Sequence, residues 1–209
     1  MKMLSNNQVL FEKVTAKYPR INQTYKYDNK EGRRIPCSPS DDGAEYTLDF
    51  EMNNKDAQQF LDKIEEVYKE AAKADTKREW KPKPLHIPYK EIDGICIGKS
   101  KKKGAYNGEA TAKPRQVDSD TKELPQDFEL TTGSTIDVFG KLFAYNTGAN
   151  YGVGFRLTAV KVEELAERME SIPFEKSDGY KANAAPAQSN AAPAKPESNG
   201  EFFDDEIPF

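Results

Sequence analysis

Histidine, cysteine and tryptophan are nearly absent from this chain: one His (His86), two Cys (Cys37 and Cys96) and one Trp (Trp80) in 209 residues. A single imidazole in a Pro-rich stretch leaves no obvious general base, and His86 reads as structural. Two thiols and one imidazole are too few for a zinc site unless carboxylates complete it. The cysteines read first as buried thiols, with a disulfide or metal ligation as the alternatives. No apolar run is long enough to span a bilayer, and Met-Lys-Met-Leu-Ser-Asn-Asn at the start lacks the apolar stretch of a secretory signal. The expectation is a cytoplasmic protein with no membrane partner. There is also no glycine-rich loop followed by Lys and Ser/Thr to cradle nucleotide phosphates. Acidic pairs exist, Asp41 with Asp42 and Asp49 with Glu51, of the kind that hold Mg²⁺ in a nuclease. Such pairs are common on surfaces, so the expectation is no enzyme, no metal and no cofactor.

Cations are missing from one place in particular. From Glu197 onward the chain carries Glu197, Glu201, Asp204, Asp205 and Glu206 with no Lys or Arg, interleaved with Phe202, Phe203, Ile207, Pro208 and Phe209. An acidic, aromatic-tipped end suits capture by a basic, apolar pocket on another protein. It also imitates nucleic acid, negative charge beside flat rings. A merely solubilising terminus is the plainer reading. Residues 182–196 are Ala, Pro, Asn, Gln, Ser and Lys, with nothing to bury, and read as a flexible linker. The expected organisation is a folded domain over 1–176, a linker over 177–196 and a disordered acidic tail over 197–209.

The tail also hides the charge of the rest. Net charge is −4, from 31 Lys+Arg and 35 Asp+Glu, and without the five tail acids the body is about neutral. Its cations are patchy: Lys77, Arg78, Lys81, Lys83, Lys99, Lys101, Lys102, Lys103, Lys113 and Arg115 fall close together. That is the footprint of phosphate binding, although short Lys runs are often only solvated loops. Aromatics lie beside them: Tyr106 after the lysine run, Tyr145 and Tyr151 around a turn, Phe139, Lys141 and Phe143 before it. Tyr25, Lys26, Tyr27, Arg33 and Arg34 form a second cluster. Phe139, Lys141 and Phe143 share one face of a strand. Inward, the rings are core and Lys141 is misplaced; outward, they are a stacking ladder.

Hydrophobic content is 36% and mean hydropathy −0.85, so the core is modest. Strands are expected over 9–18 (stopping at Pro19), 46–52, 94–98, 108–113, 134–145 and 154–162. Residues 146–150 supply a hairpin turn between the last two. Asn53 or Asn54 caps one long helix whose apolar stripe is Phe60, Leu61, Ile64, Val67, Tyr68 and Ala71. It ends before Trp80, a packing anchor, and a shorter helix is expected from 163 to about 171. The segment 81–133 reads as an elaborated loop region. The fold class is all-β with one inserted helix: a barrel of five to six strands with the helix between the second and third. An OB-fold barrel fits that size, though strand content alone does not select it over a sandwich.

Three stretches, in this order, resemble the single-stranded DNA-binding proteins of bacteriophage replisomes, the podophage type. Residues 46–56 (YTLDFEMNNKD) resemble the family's strand that runs directly into a long helix. Residues 133–138 (GSTIDV), with the Tyr145 region, resemble its penultimate strand. Residues 152–162 (GVGFRLTAVKV) resemble its last strand. The tail ending in Phe209 is similar to the family's tail. The resemblance implies an OB fold, sequence-independent binding and protection of single strands in DNA replication and recombination, and residence in a host cytoplasm. It implies that the tip, Asp204, Asp205, Glu206, Ile207, Pro208 and Phe209, contacts replication proteins such as polymerase and primase-helicase, with homodimer formation through the tail in some members. Tyr145 matches a family tyrosine associated with DNA contact. The family's basic residue just before the strand at Tyr46 is missing; Arg33 and Arg34 stand further upstream. The expected DNA-binding set is Tyr145, Lys141, Phe143, Phe139, Tyr151, Lys99, Lys101, Lys102, Lys103, Tyr106, Lys113, Arg115, Arg33, Arg34 and Tyr27. The alternatives are an RNA-binding or strand-annealing protein on the same barrel, or a protein–protein adaptor.

Overall fold

The computed structural model describes residues 1–167. Its elements in chain order are β1 (Lys2–Met3), β2 (Gln8–Asp28), β3 (Arg33–Cys37), β4 (Glu45–Met52), α1 (Asn54–Ala74), β5 (Tyr89–Ile92), β6 (Ile95–Lys103), β7 (Ala105–Tyr106), β8 (Glu109–Ala110), β9 (Arg115–Val117), β10 (Thr135–Asn146) and β11 (Tyr151–Glu164). The pairings β6–β4–β2–β10–β11 form one sheet, and a parallel bridge from Arg156 to Lys101 joins β11 back to β6. Five strands therefore close a barrel, with α1 between the second and third of them. This is the connectivity of an OB fold, as expected from the sequence.

Alternation builds the barrel wall. In β4, Tyr46, Leu48, Phe50 and Met52 are buried while Glu45, Thr47, Asp49 and Glu51 turn outward. Four rings fill the centre: Phe11 lies 4.7 Å from Phe50, 5.0 Å from Phe60 and 5.8 Å from Phe155, measured between centroids. Burying each ring stabilises by roughly 1.5–3 kcal/mol, and α1 supplies Phe60 as the plug. The helix starts where the sequence says it should. Asn53 is the cap, its Oδ1 accepting from the Asp56 N–H at 2.8 Å, and the Met1 ammonium donates to Asp56 at 2.7 Å. Beyond its end, Trp80 packs edge-on to Tyr68 at 5.1 Å. Tyr68 in turn donates to the Lys81 carbonyl at 3.1 Å.

Several expectations need correction. The first strand does not stop at Pro19; β2 continues to Asp28. A register shift between Lys17 and Arg20, with Tyr18 in the left-handed region (φ 46°), absorbs the proline. The lysine run 99–103 lies in strand β6, not in a loop. Within 81–133, β5 and β9 are further strands, whereas the candidate at 108–113 reduces to β8, paired with β7. The helix expected from 163 does not form in the described part, because β11 runs on to Glu164 and 165–167 are irregular. The linker 177–196 and the tail 197–209, with Asp204, Asp205, Glu206, Ile207, Pro208 and Phe209, lie outside the described residues. No helix among the described residues is long and apolar enough to cross a membrane.

Candidate nucleic-acid interface

The barrel exterior carries a band of cations and rings, crossed by acidic residues of β4, and strand pairing determines its order. On β10, Phe139, Lys141, Phe143 and Tyr145 alternate with buried Val138, Gly140 and Leu142. Phe139, Lys141 and Phe143 thus lie on the outward face, and the inward reading, in which the two rings are core, does not hold. Across the ladder, Lys141 faces Arg156, Phe143 faces Gly154 and Tyr145 faces Gly152. Arg156 then bridges to Lys101 on β6. Lys101 and Lys99 face Thr47 and Asp49 on β4. Arg20 and Lys17 of β2 face the same two β4 residues from the other side. Tyr25 faces Glu45 and also Pro36, and Tyr27 faces Arg34, on the β2–β3 ribbon.

Two glycines let this surface lie close to the backbone. A Cβ on Gly154 would fall 2.5 Å from Phe143 Cζ, so the ring lies flat over the bare strand. A Cβ on Gly152 would fall 2.2 Å from the carbonyl oxygen of His86. There His86 pairs with β11 through its backbone: its N–H donates to Tyr151 O at 3.3 Å, and its carbonyl accepts from Val153 N–H at 2.9 Å. The structural role expected of His86 is thus a main-chain one.

The rings and cations are already engaged with one another. The Arg156 guanidinium sits 5.1 Å above the Phe143 centroid, and Phe143 and Tyr145 are 6.3 Å apart. At the other end, Arg20 covers Tyr25 at 5.4 Å. Tyr145 also lines a hollow of about 470 Å³ shared with Lys77, Arg78 and Trp80.

Between the two ends runs an acidic seam on β4. Glu45 pairs with Lys101 at 3.0 Å and with Arg34 at 3.8 Å, and Glu51 pairs with Lys17 at 3.1 Å. Burial pushes the Asp49 carboxyl above its ordinary range, against the opposing pull of Lys99, Lys90, Arg34 and Arg20. Burial, with Arg156 nearby, holds the Lys102 ammonium below its usual range.

The other expected site residues separate. Lys102 sits on the side of β6 that faces Tyr46, half-buried, not outward with Lys101. Tyr151 is placed on the side of β11 that packs against the core, opposite to the side that faces Tyr145, and does not join the band. Arg115 faces Ala159 next to Phe139, and pairs with Glu123 at 2.8 Å. Lys113 is tied to the carbonyl of Gln126. Lys103 is exposed at the end of β6, and Tyr106, 70% exposed, projects from the β7–β8 hairpin beyond it. Arg33 is exposed at the ribbon tip, paired with Glu31 at 2.7 Å. Sequence reasoning misses Arg156, Arg20 and the two glycines. The run Gly152-Val153-Gly154-Phe155-Arg156 reads by sequence only as part of a last strand. Two glycines and an arginine at every second position, opposite Tyr145, Phe143 and Lys141, are the signal it carries.

No family model matches the chain, and no curated protein matches it. Solved structures do. The single-stranded DNA-binding protein of bacteriophage Enc34 in complex with ssDNA superposes with a TM-score of 0.56 at 14% identity, over 81% of this chain and 96% of that one. The single-stranded DNA-binding protein gp2.5 of bacteriophage T7 superposes with a TM-score of 0.54 at 22% identity, over 83% of this chain and 100% of that one. This chain shares their fold. The comparison and the resemblance read from residues 46–56, 133–138 and 152–162 meet on the same group of phage proteins.

Proposed function

We propose that this protein binds single-stranded DNA without regard to sequence, and protects it during phage DNA replication and recombination. One observation carries the reading: the barrel exterior joins Phe143, Tyr145 and Arg156 to Lys141, Lys101 and Lys99 on adjacent strands. Every nucleotide has a phosphate and a flat face, and this band answers both. Stacking on an aromatic ring contributes about 1–3 kcal/mol per base. Each phosphate met by a cation releases counterions, so affinity falls with salt. The role is that of a binding protein rather than an enzyme. The ssDNA complex of the Enc34 protein, which shares the fold, supports the choice of partner.

The tail extends this reading. Its acids and Phe rings imitate phosphates and bases, so the tip competes with DNA for the cationic band. When DNA displaces it, the tip recruits replication proteins such as polymerase or primase-helicase. The tether keeps the tip at high local concentration, so weak contacts suffice.

The test is poly-dT binding as a function of salt, with the full chain and with a chain lacking 197–209. Tight, salt-sensitive binding that tightens further on truncation, most at low salt, is the expected result. No retention of poly-dT at low salt rejects DNA binding and favours an adaptor. Equal affinity of full and truncated chains rejects the competition. Stronger retention of RNA of the same sequence turns the reading to an RNA-binding protein.

A further inference from the structure

Beyond the register shift of β2 lies a cleft of about 490 Å³ whose polar lining includes Arg20, Asn22, Gln23, Tyr25, Asp127 and Glu129. We propose that this cleft takes one guanine base of a bound single strand. The inference rests on the single-strand reading above and adds a base preference to it.

The chemistry differs from that of the β10–β11 end. There, rings and cations meet the common features of all nucleotides. Here the groups are suited to reading an edge. Arg20 stacked over Tyr25 at 5.4 Å makes a planar, cationic shelf on which a base can lie. Asn22 Oδ1 accepts from Gln116 Nε2 at 2.8 Å, which leaves the Asn22 amide donors for a ligand. Gln23 Nε2 donates to the Tyr25 hydroxyl at 2.9 Å, leaving its carbonyl oxygen as an acceptor. Asp127 brings an exposed carboxylate.

Carboxylates in the cleft, Asp127 with Glu129 near it, repel phosphate and select for donors. Guanine presents N1–H and N2–H side by side, which one carboxylate accepts together, and next to them O6, which accepts from an amide. Thymine offers one ring N–H between two carbonyls. Adenine and cytosine offer an amino group beside an acceptor. Only guanine offers one carboxylate two adjacent donors and, beside them, an acceptor for an amide. The volume is of the order that holds a small ligand, and unpaired bases in single strands are free to be read on this edge.

The experiment is fluorescence anisotropy at constant salt with the full chain and four 12-mers. One is all dT; the others carry a single central dG, dA or deoxyinosine, which lacks the N2 amino group. The dG oligomer should bind about tenfold more tightly than the dA oligomer, with deoxyinosine between them. In D127N the dG to dA ratio should fall to near one. Equal affinity for dG and dA in the natural sequence overturns the proposal, without touching the retention of dT that tests the broader reading. A dG preference undiminished in D127N, or undiminished with deoxyinosine, overturns it as well.

Discussion

Arg156 holds its guanidinium 5.1 Å above the centroid of the Phe143 ring, on the outer face of the β10–β11 hairpin. The cation thus occupies a stacking face of the ring in the free protein. A base arriving at Phe143 either slips beneath Arg156 or takes its place, and in both cases keeps a ring and a cation as neighbours. Phe143→Ala removes the platform. Binding to poly-dT should weaken about 5- to 150-fold, the range that one stacked base represents. Since Phe143 is an outward residue, the melting temperature should change little by comparison. A Phe143→Ala protein that binds poly-dT as tightly as the natural sequence removes this ring from the interface.

Gly154 sets how Phe143 lies. A methyl group at 154 would sit 2.5 Å from Cζ of the ring, which must then tip off the strand. Gly154→Ala should therefore weaken poly-dT binding in the same direction as loss of the ring, by a smaller factor. Gly98 offers the contrasting case: its added Cβ would meet Phe50 Cζ at 2.5 Å and Met52 Cε at 2.6 Å, inside the barrel. Gly98→Ala should cost stability, on the order of 1–3 kcal/mol as overpacking does. Chemical denaturation and anisotropy on both variants separate the two effects.

Much of this fold is legible in the order of residues alone. Strict alternation over Tyr46–Met52 puts the right residues in the wall, and the capping Asn53 places the helix start, because both depend on local geometry. What escapes depends on partners distant in sequence. Lys99 to Lys103 fall in the segment that reads as an elaborated loop region, yet β6 is anchored on one side by β4 and closed by β11 on the other, which no local pattern encodes. Pro19 reads as a strand end, but a bulge carries β2 past it. A second irregularity between Phe139 and Gly140 changes the parity of β11, so Val160 points inward where simple alternation places Ala159 with Phe155 and Leu157. The same local ambiguity groups Tyr151 with Tyr145, although the two residues point to opposite sides of the hairpin.

Glu45 is the natural counterion of two of the proposed DNA contacts. It pairs with Lys101 at 3.0 Å and Arg34 at 3.8 Å, so phosphate must compete with it for both. Glu45→Gln frees these cations without shortening the side chain. Poly-dT should bind severalfold more tightly at low salt. The log–log salt dependence should steepen by about 0.7 for each further phosphate that a freed cation neutralises. An unchanged slope would mean that neither cation meets a phosphate.

Asp49 gives a pH-dependent test on the same seam. Burial raises its folded-state pKa above the ordinary 3.8, although Lys99, Lys90, Arg34 and Arg20 oppose the shift. The folded protein therefore holds this proton more tightly than the unfolded chain. Above the folded pKa, the ionised carboxylate costs stability. The cost shrinks as pH falls through the folded pKa and is gone below 3.8, where both states are protonated. Asp49→Asn keeps the shape and removes the charge. Its melting temperature should exceed that of the natural sequence at neutral pH, and the two curves should converge at acid pH. Because the carboxylate also stands among cations facing the proposed strand, the same variant should bind poly-dT more tightly at neutral pH. A less stable variant at neutral pH would show that the surrounding cations outweigh burial at Asp49, and parallel melting curves with a pH-independent gap that the two cancel.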